Sequence, residues 1–202
     1  MDEEIRSFGF EIKTNIKERD INNPIRSAFL KADTRKQFLV IQAGPDIIAQ
    51  IPEGKMIKIR LEIDVNPPGG FYTETKYLLQ IIPFPIRTYS LPDLFAGKMH
   101  AVLCRKWKTR VKGRDWFDLI WYTANHPQLN LRHLESRMRQ TGHWNNKLPL
   151  DRENFIKIFK NTVNELNIED AKNEVEPFIR NTQSLKSWSK ELFLSLAEKI
   201  KT

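Results

Sequence analysis

A single cysteine, Cys104, excludes an intramolecular disulfide framework and any cysteine-rich zinc site. A reducing, cytoplasmic setting fits that usage. No apolar run approaches the roughly 18 residues that a membrane span requires, and the opening MDEEIRSFGF lacks the basic-then-apolar layout of a secretory signal. There is no G-x-x-x-x-G-K-[ST] phosphate loop and no G-x-G-x-x-G fingerprint; nor does the chain contain a Gly-Ser dipeptide or an Asp-x-Asp triplet. The histidines (His100, His126, His133 and His143) show no metal-ligand spacing. Acidic side chains are outnumbered, 25 against 33 Lys and Arg, and the resulting charge of +8 favours a polyanionic partner such as RNA, DNA or a nucleotide.

What is present is an ordinary 202-residue composition, 40% apolar and 29% charged, enough for one compact domain with or without a helical appendage. The first ninety residues are rich in strand patterns. Phe8–Lys17 alternates imperfectly, Ser27–Asp33 reads as a second strand, and Thr34–Gln42 suits a strand or, preferably, a short helix. Lys55–Val65 is the clearest strand: Ile57, Ile59, Leu61, Ile63 and Val65 alternate with Lys58, Arg60, Glu62 and Asp64. That period puts Glu62 and Asp64 on one face near the strand's end. After the stop at Asn66-Pro67-Pro68-Gly69-Gly70, Thr73–Pro83 reads as a neighbouring strand, antiparallel to it across that loop.

The stretch from Leu91 to Tyr122 organises the rest. It reads as two helices joined at Lys112-Gly113, the first opening with capping-box spacing at Ser90 and Asp93 and burying Phe95, Met99, Val102 and Leu103. Seven basic residues (Lys98, Arg105, Lys106, Lys108, Arg110, Lys112 and Arg114) occur with no acid among them. Such a run repels itself unless an anion relieves it, or else forms a solvated basic face. The second helix, closed by Pro127, places Asp115, Asp118 and Tyr122 on one face. Its apolar residues, Trp116, Phe117, Leu119, Ile120 and Trp121, cover most of the remainder and suggest burial between layers.

Each group has a plain structural explanation beside the functional one. Glu62 and Asp64 fit a solvated strand face paired with Lys58 and Arg60, Asp115 and Asp118 favourable placement at a helix N-terminus, and Lys98 a lysine snorkelling beside an apolar stripe. Cys104, four residues after His100, reads as core packing. The functional alternative is phosphoryl or nucleotidyl transfer, in which acidic metal ligands stand beside basic phosphate clamps. Beyond Pro127 the pattern is helical and amphipathic: about 131–140, 151–166, 168–175 and 185–200, with a break at Pro177.

KIRLEIDVNPP followed by SLPDLFAGKMHAVLCRKWKTRVKGRDWFDLIWY resembles the AbiEii/AbiGii toxin family of nucleotidyltransferase-like proteins, most specifically in the K-M-H-A…R…G-R-D-W-F-D-L core. The resemblance implies an α+β fold: a truncated, DNA polymerase β-like mixed sheet packed with helices and followed by a helical C-terminal part. The corresponding divisions are a strand-rich part at 1–90, a central helix pair at 91–126 and a helical part at 127–202. It implies nucleotide transfer from a nucleoside triphosphate to an RNA (tRNA) or protein acceptor in a toxin–antitoxin or phage-defence system. By motif, Asp64 would be a metal ligand; Glu62 points the same way by strand period only and carries less weight. Lys98, Asp115 and Asp118 would be the catalytic set, with Arg105 and Arg114 binding nucleotide. The family's Gly-Ser and Asp-x-Asp element, which carries the first two metal carboxylates, is missing, so a weak or incomplete Mg2+ site is expected. The partner expected is an antitoxin or, where the missing carboxylates are supplied in trans, a separately encoded N-terminal piece. The alternative is a catalytically inactive module that binds nucleic acid or protein.

Overall fold

The computed structural model describes residues 13–17, 25–33, 56–64, 66–79, 83–105 and 111–202, with the backbone alone for 13–17, 25–33 and 56–62. The fold is α+β. The chain divides into two compact units, Met1–Pro67 and Pro68–Thr202.

In the first unit, strands β1 (Lys13–Lys17), β2 (Ile25–Asp33) and β3 (Met56–Asp64) form an antiparallel sheet in the order β1-β2-β3. β2 and β3 pair along their whole length, from Ile25 opposite Asp64 to Asp33 opposite Met56. The alternating pattern of Lys55–Val65 therefore marks β3 to within a residue at each end, the usual uncertainty of a boundary. β3 stops where the Asp64 carboxylate accepts the Asn66 N–H at 3.0 Å, a turn that aspartate favours, and Pro67 and Pro68 follow. Phe8–Ile12 and Thr34–Gln42 lie outside the described residues.

The second unit begins with a correction. Thr73–Pro83 does not serve as partner to Lys55–Val65: β4 (Thr73–Leu78) pairs with β5 (Phe84–Tyr89) in a two-stranded antiparallel sheet, Thr73 opposite Tyr89. β5 is hidden in the sequence by Pro83 and Pro85. Proline is tolerated on an edge strand, and in a two-stranded sheet both strands are edges. Closing the short connection between them also costs little chain entropy.

Helices α1 (Leu91–Cys104), α2 (Gly113–Asn125), α3 (Leu131–Gln140), α4 (Arg152–Glu165), α5 (Ile168–Val175) and α6 (Lys190–Lys199) follow, with 3-10 turns at Glu176–Phe178 and Thr182–Ser187. Their boundaries follow local chemistry. The side chains of Asn130, Asp151, Asn167 and Ser189 each accept a backbone N–H from the first turn of the helix they open. Pro177 sits in the first 3-10 turn, where a helix cannot continue past it. Phe95 and Met99 of α1, Leu119 of α2, Leu134 and Met138 of α3, Phe155 and Phe159 of α4 and Phe193 of α6 form one buried core.

The start of α1 is held by a buried carboxylate. Asp93, 2% exposed, accepts the Ser90 hydroxyl at 2.5 Å, the Tyr72 N–H at 2.8 Å and the Asn130 side-chain amide at 2.7 Å. Asn130 caps α3 with its own oxygen, so one aspartate fixes two helix starts and the residues preceding β4. Ser90 itself makes no side-chain bond to the helix backbone. The capping-box spacing of Ser90 and Asp93 thus does a tertiary job.

α2 departs from the expected burial between layers. Trp116 and Leu119 are buried, whereas Phe117 and Trp121, four apart, share an exposed outer face. Its N-terminus packs closely against α5. A Cβ on Gly113 would lie 1.9 Å from the Ala171 carbonyl oxygen on α5. Only glycine fits that contact.

Candidate active site

α1 and α2 pack against one another, and their crossing places Lys98 beside the first turns of α2. The Lys98 Nζ lies 2.5 Å from Asp118 Oδ2 and 4.0 Å from Asp115 Oδ1. Asp115 and Asp118 face it together because they are three residues apart on one helix. The two carboxylates differ in environment. Asp115 is 8% exposed, and burial raises its pKa against the opposing pull of Lys98, Arg105 and Lys112, with Asp118 adding to the rise. Asp118 is more open and takes the shorter contact with the ammonium. One turn further along, Tyr122 stacks on Phe95 at 4.9 Å, nearly parallel, and burial also pushes its hydroxyl pKa upward.

The group opens onto a cleft of about 630 Å³. Five cationic side chains (Lys98, Arg105, Lys112, Arg114 and Arg180) line it against the two carboxylates Asp115 and Asp118. The volume lies within the range of small-molecule sites, and the excess of positive charge suits a polyphosphate. Arg105 follows the last turn of α1, where a cation is favoured by the helix carbonyls. Arg114 is held on the other wall: its Nε is 3.8 Å from Glu174 and its guanidinium lies 4.5 Å above the Phe178 ring. Arg105 and Asp115 also line two adjoining clefts, of about 470 and 240 Å³, so this pair sits where the three depressions meet.

Lys98, Arg105, Arg114, Asp115 and Asp118 thus come together in the second unit. Asp64 and Glu62 belong to the first unit, at the end of β3 opposite Ile25 and Ser27. Lys106, Lys108 and Arg110 lie outside the described residues. Sequence reasoning gave no role to Arg180, which joins the cleft from beyond the 3-10 turn; no periodicity links so distant a residue to α2. It also left His143 apart from His100 and Cys104, three side chains whose ligand atoms lie within 4.8 Å of one another.

The donor chemistry bears on Mg2+. Asp115 and Asp118 already share an ammonium, and a divalent cation on that pair would meet its charge. Asp64 is exposed and has one carboxylate oxygen engaged by the Asn66 N–H. Its oxygen donors are of the kind that Mg2+ takes, though they amount to a single carboxylate.

The model of the AbiEii nucleotidyl transferase toxins of type IV toxin–antitoxin systems matches residues 1–194. The chain belongs to that family. No curated protein and no solved structure matches it. Membership implies a toxin of nucleotidyltransferase type with an antitoxin as partner. Among the described residues no helix is long and apolar enough to cross a membrane.

Proposed function

We propose that this AbiEii-family chain transfers a nucleotidyl group from a nucleoside triphosphate to a hydroxyl of an RNA, such as a tRNA, or of a protein, and that its antitoxin restrains this activity in the cytoplasm. The observation that carries the reading is the Lys98 ammonium set against Asp115 and Asp118 at the mouth of a cleft with five cations. Lys98, Arg105 and Arg114 bind the triphosphate. Asp115, whose pKa is raised by burial, takes the proton of the acceptor hydroxyl, as a carboxylate tuned upward is suited to do. The acceptor oxygen bonds to the α-phosphorus, the bond from that phosphorus to the β-phosphate oxygen breaks, and pyrophosphate leaves. Asp118 orients Lys98. The family resemblance gives Asp64, with Glu62 beside it by strand period, as the residue that would hold Mg2+, an ion that supplies neutralisation of phosphate charge when bound.

The test is incubation of the chain with Mg2+, labelled nucleoside triphosphates and total tRNA or lysate protein. Label should appear in one acceptor class. Lys98→Ala should lower transfer by roughly 10²-fold, the effect of removing one preorganised charge-stabilising group. Asp115→Asn should lower kcat more than it raises KM. Undiminished transfer by Lys98→Ala, or no transfer to either class, removes the reading.

A further inference from the structure

We propose that His100, Cys104 and His143 form a three-ligand site for a thiophilic divalent cation, with Zn2+ the ion their chemistry fits. Two imidazoles and a thiolate with a fourth position open are a donor set zinc uses.

The fold builds the site from two elements. His100 and Cys104 are four apart on α1 and project from one face. His143 arrives from the turn after α3, where Gly142 adopts φ +74°, a conformation that glycine takes without strain. The three ligand atoms lie within 4.8 Å of one another. In tetrahedral zinc geometry neighbouring N and S ligands stand about 3.3–3.6 Å apart. The widest separation, at most 4.8 Å, therefore exceeds that spacing by no more than about 1.5 Å.

Thr141 prepares both rings. Its hydroxyl donates to the Arg137 carbonyl at 3.0 Å and meets His100 Nε2 and His143 Nδ1, each at 2.9 Å. With the hydroxyl proton so directed, both ring nitrogens donate to its oxygen, and each ring keeps its other nitrogen as a lone-pair acceptor. A hydrogen bond from the second nitrogen is the usual support of a metal-bound histidine. The thiol must lose its proton to the incoming ion, as thiolate ligands do. His100 and Cys104 are buried, His143 exposed, so the ion has both a fixed floor and a way in. Bound there, it would tie the last turn of α1 to the turn after α3 and hold the helix end from which Arg105 enters the cleft.

The test uses the full chain stripped with a chelator, then titrated with Zn2+ by calorimetry and with Co2+ by absorption. One equivalent should bind, with a thiolate-to-cobalt charge-transfer band. Cys104→Ser should abolish the band. His143→Ala, a change at an exposed turn, should weaken Zn2+ binding at least about tenfold, the lower bound for losing even a supporting group, while His126→Ala should leave it unchanged. No binding, or His143→Ala binding as tightly as the unaltered chain, overturns the assignment. The assay contains no nucleotide, so its outcome is separate from that of the transfer assay.

Discussion

Gly113→Ala is the substitution whose sign the structure decides. In an exposed helix position alanine is favoured over glycine by about 0.5–1 kcal/mol, because glycine loses more backbone freedom on folding. Propensity alone therefore predicts a more stable protein. Gly113, however, meets α5 edge-on: an added Cβ would sit 1.9 Å from Ala171 O, 2.9 Å from Ala171 C and 3.1 Å from Val175 Cβ. Real Cβ contacts do not fall below 3.0 Å, so α2 and α5 would have to part by about 1.1 Å against a core in which Ala171 and Val175 are fully buried. Overpacking of that kind costs about 1–3 kcal/mol and sometimes more. The clash outweighs the propensity, and the net loss should be about 1–2 kcal/mol, a fall in Tm of about 3–6 °C in scanning calorimetry. Ala171→Gly should not rescue it, since the obstructing atom is a backbone oxygen. An unchanged or raised Tm would show that the approach of α2 to α5 is looser than described. Asp115 lies two residues beyond Gly113, so the same displacement should lower nucleotidyl transfer.

Two further outcomes are expected. His100, 7% exposed with a pKa lowered to about 4, is neutral when folded and takes up a proton near 6.5 when unfolded. In chelator-treated protein its contribution is therefore intact above pH 6.5 and is lost as pH falls toward 4, by up to about 3 kcal/mol. Urea melts across that range should show the loss, and His100→Gln should flatten it; equal slopes in both proteins would refute the burial argument. Asp115, raised by burial, acts in the opposite sense, since its native form takes a proton first as pH falls. Asp93→Ala strands the donors of Ser90, Tyr72 and Asn130 and should cost about 3 kcal/mol in urea unfolding, whereas a loss below 1 kcal/mol would mean that water replaces the carboxylate freely.

The local period of the sequence carries much of this. Alternation alone delimits β3, and the spacing of Asp115, Asp118 and Tyr122 places them on one face whatever α2 packs against. The apolar residues Phe95, Met99, Val102 and Leu103 mark the buried side of α1 for the same reason. What the period does not carry is direction across elements. That Lys98 reaches Asp118 depends on the crossing of α1 and α2, and that Arg180 faces the same cleft depends on the turn after α5. His143 meets His100 and Cys104 only because α3 returns beside α1. The misreadings also have physical causes: Pro83 and Pro85 mask a strand that an edge position allows, and a run of aromatic residues conceals that Phe117 and Trp121 face outward.

The asymmetry of the lysine contacts argues for a division of labour between the two aspartates. Were Lys98 pressed against Asp115 as closely as it is against Asp118, its charge would hold the Asp115 carboxylate low, and a low pKa makes a poor proton acceptor. Instead the ammonium stands 2.5 Å from Asp118 and 4.0 Å from Asp115, and burial prevails at Asp115. In the proposed reaction a triphosphate would compete chiefly with Asp118, the nearer carboxylate, for Lys98, and an ammonium engaged by phosphate would exert less of the pull that lowers the pKa of Asp115. In the proposed reaction, then, substrate charge itself sharpens the base. The feature that makes this possible is the three-residue spacing, which puts one carboxylate in the first, buried turn of α2 and the other at the rim of the cleft.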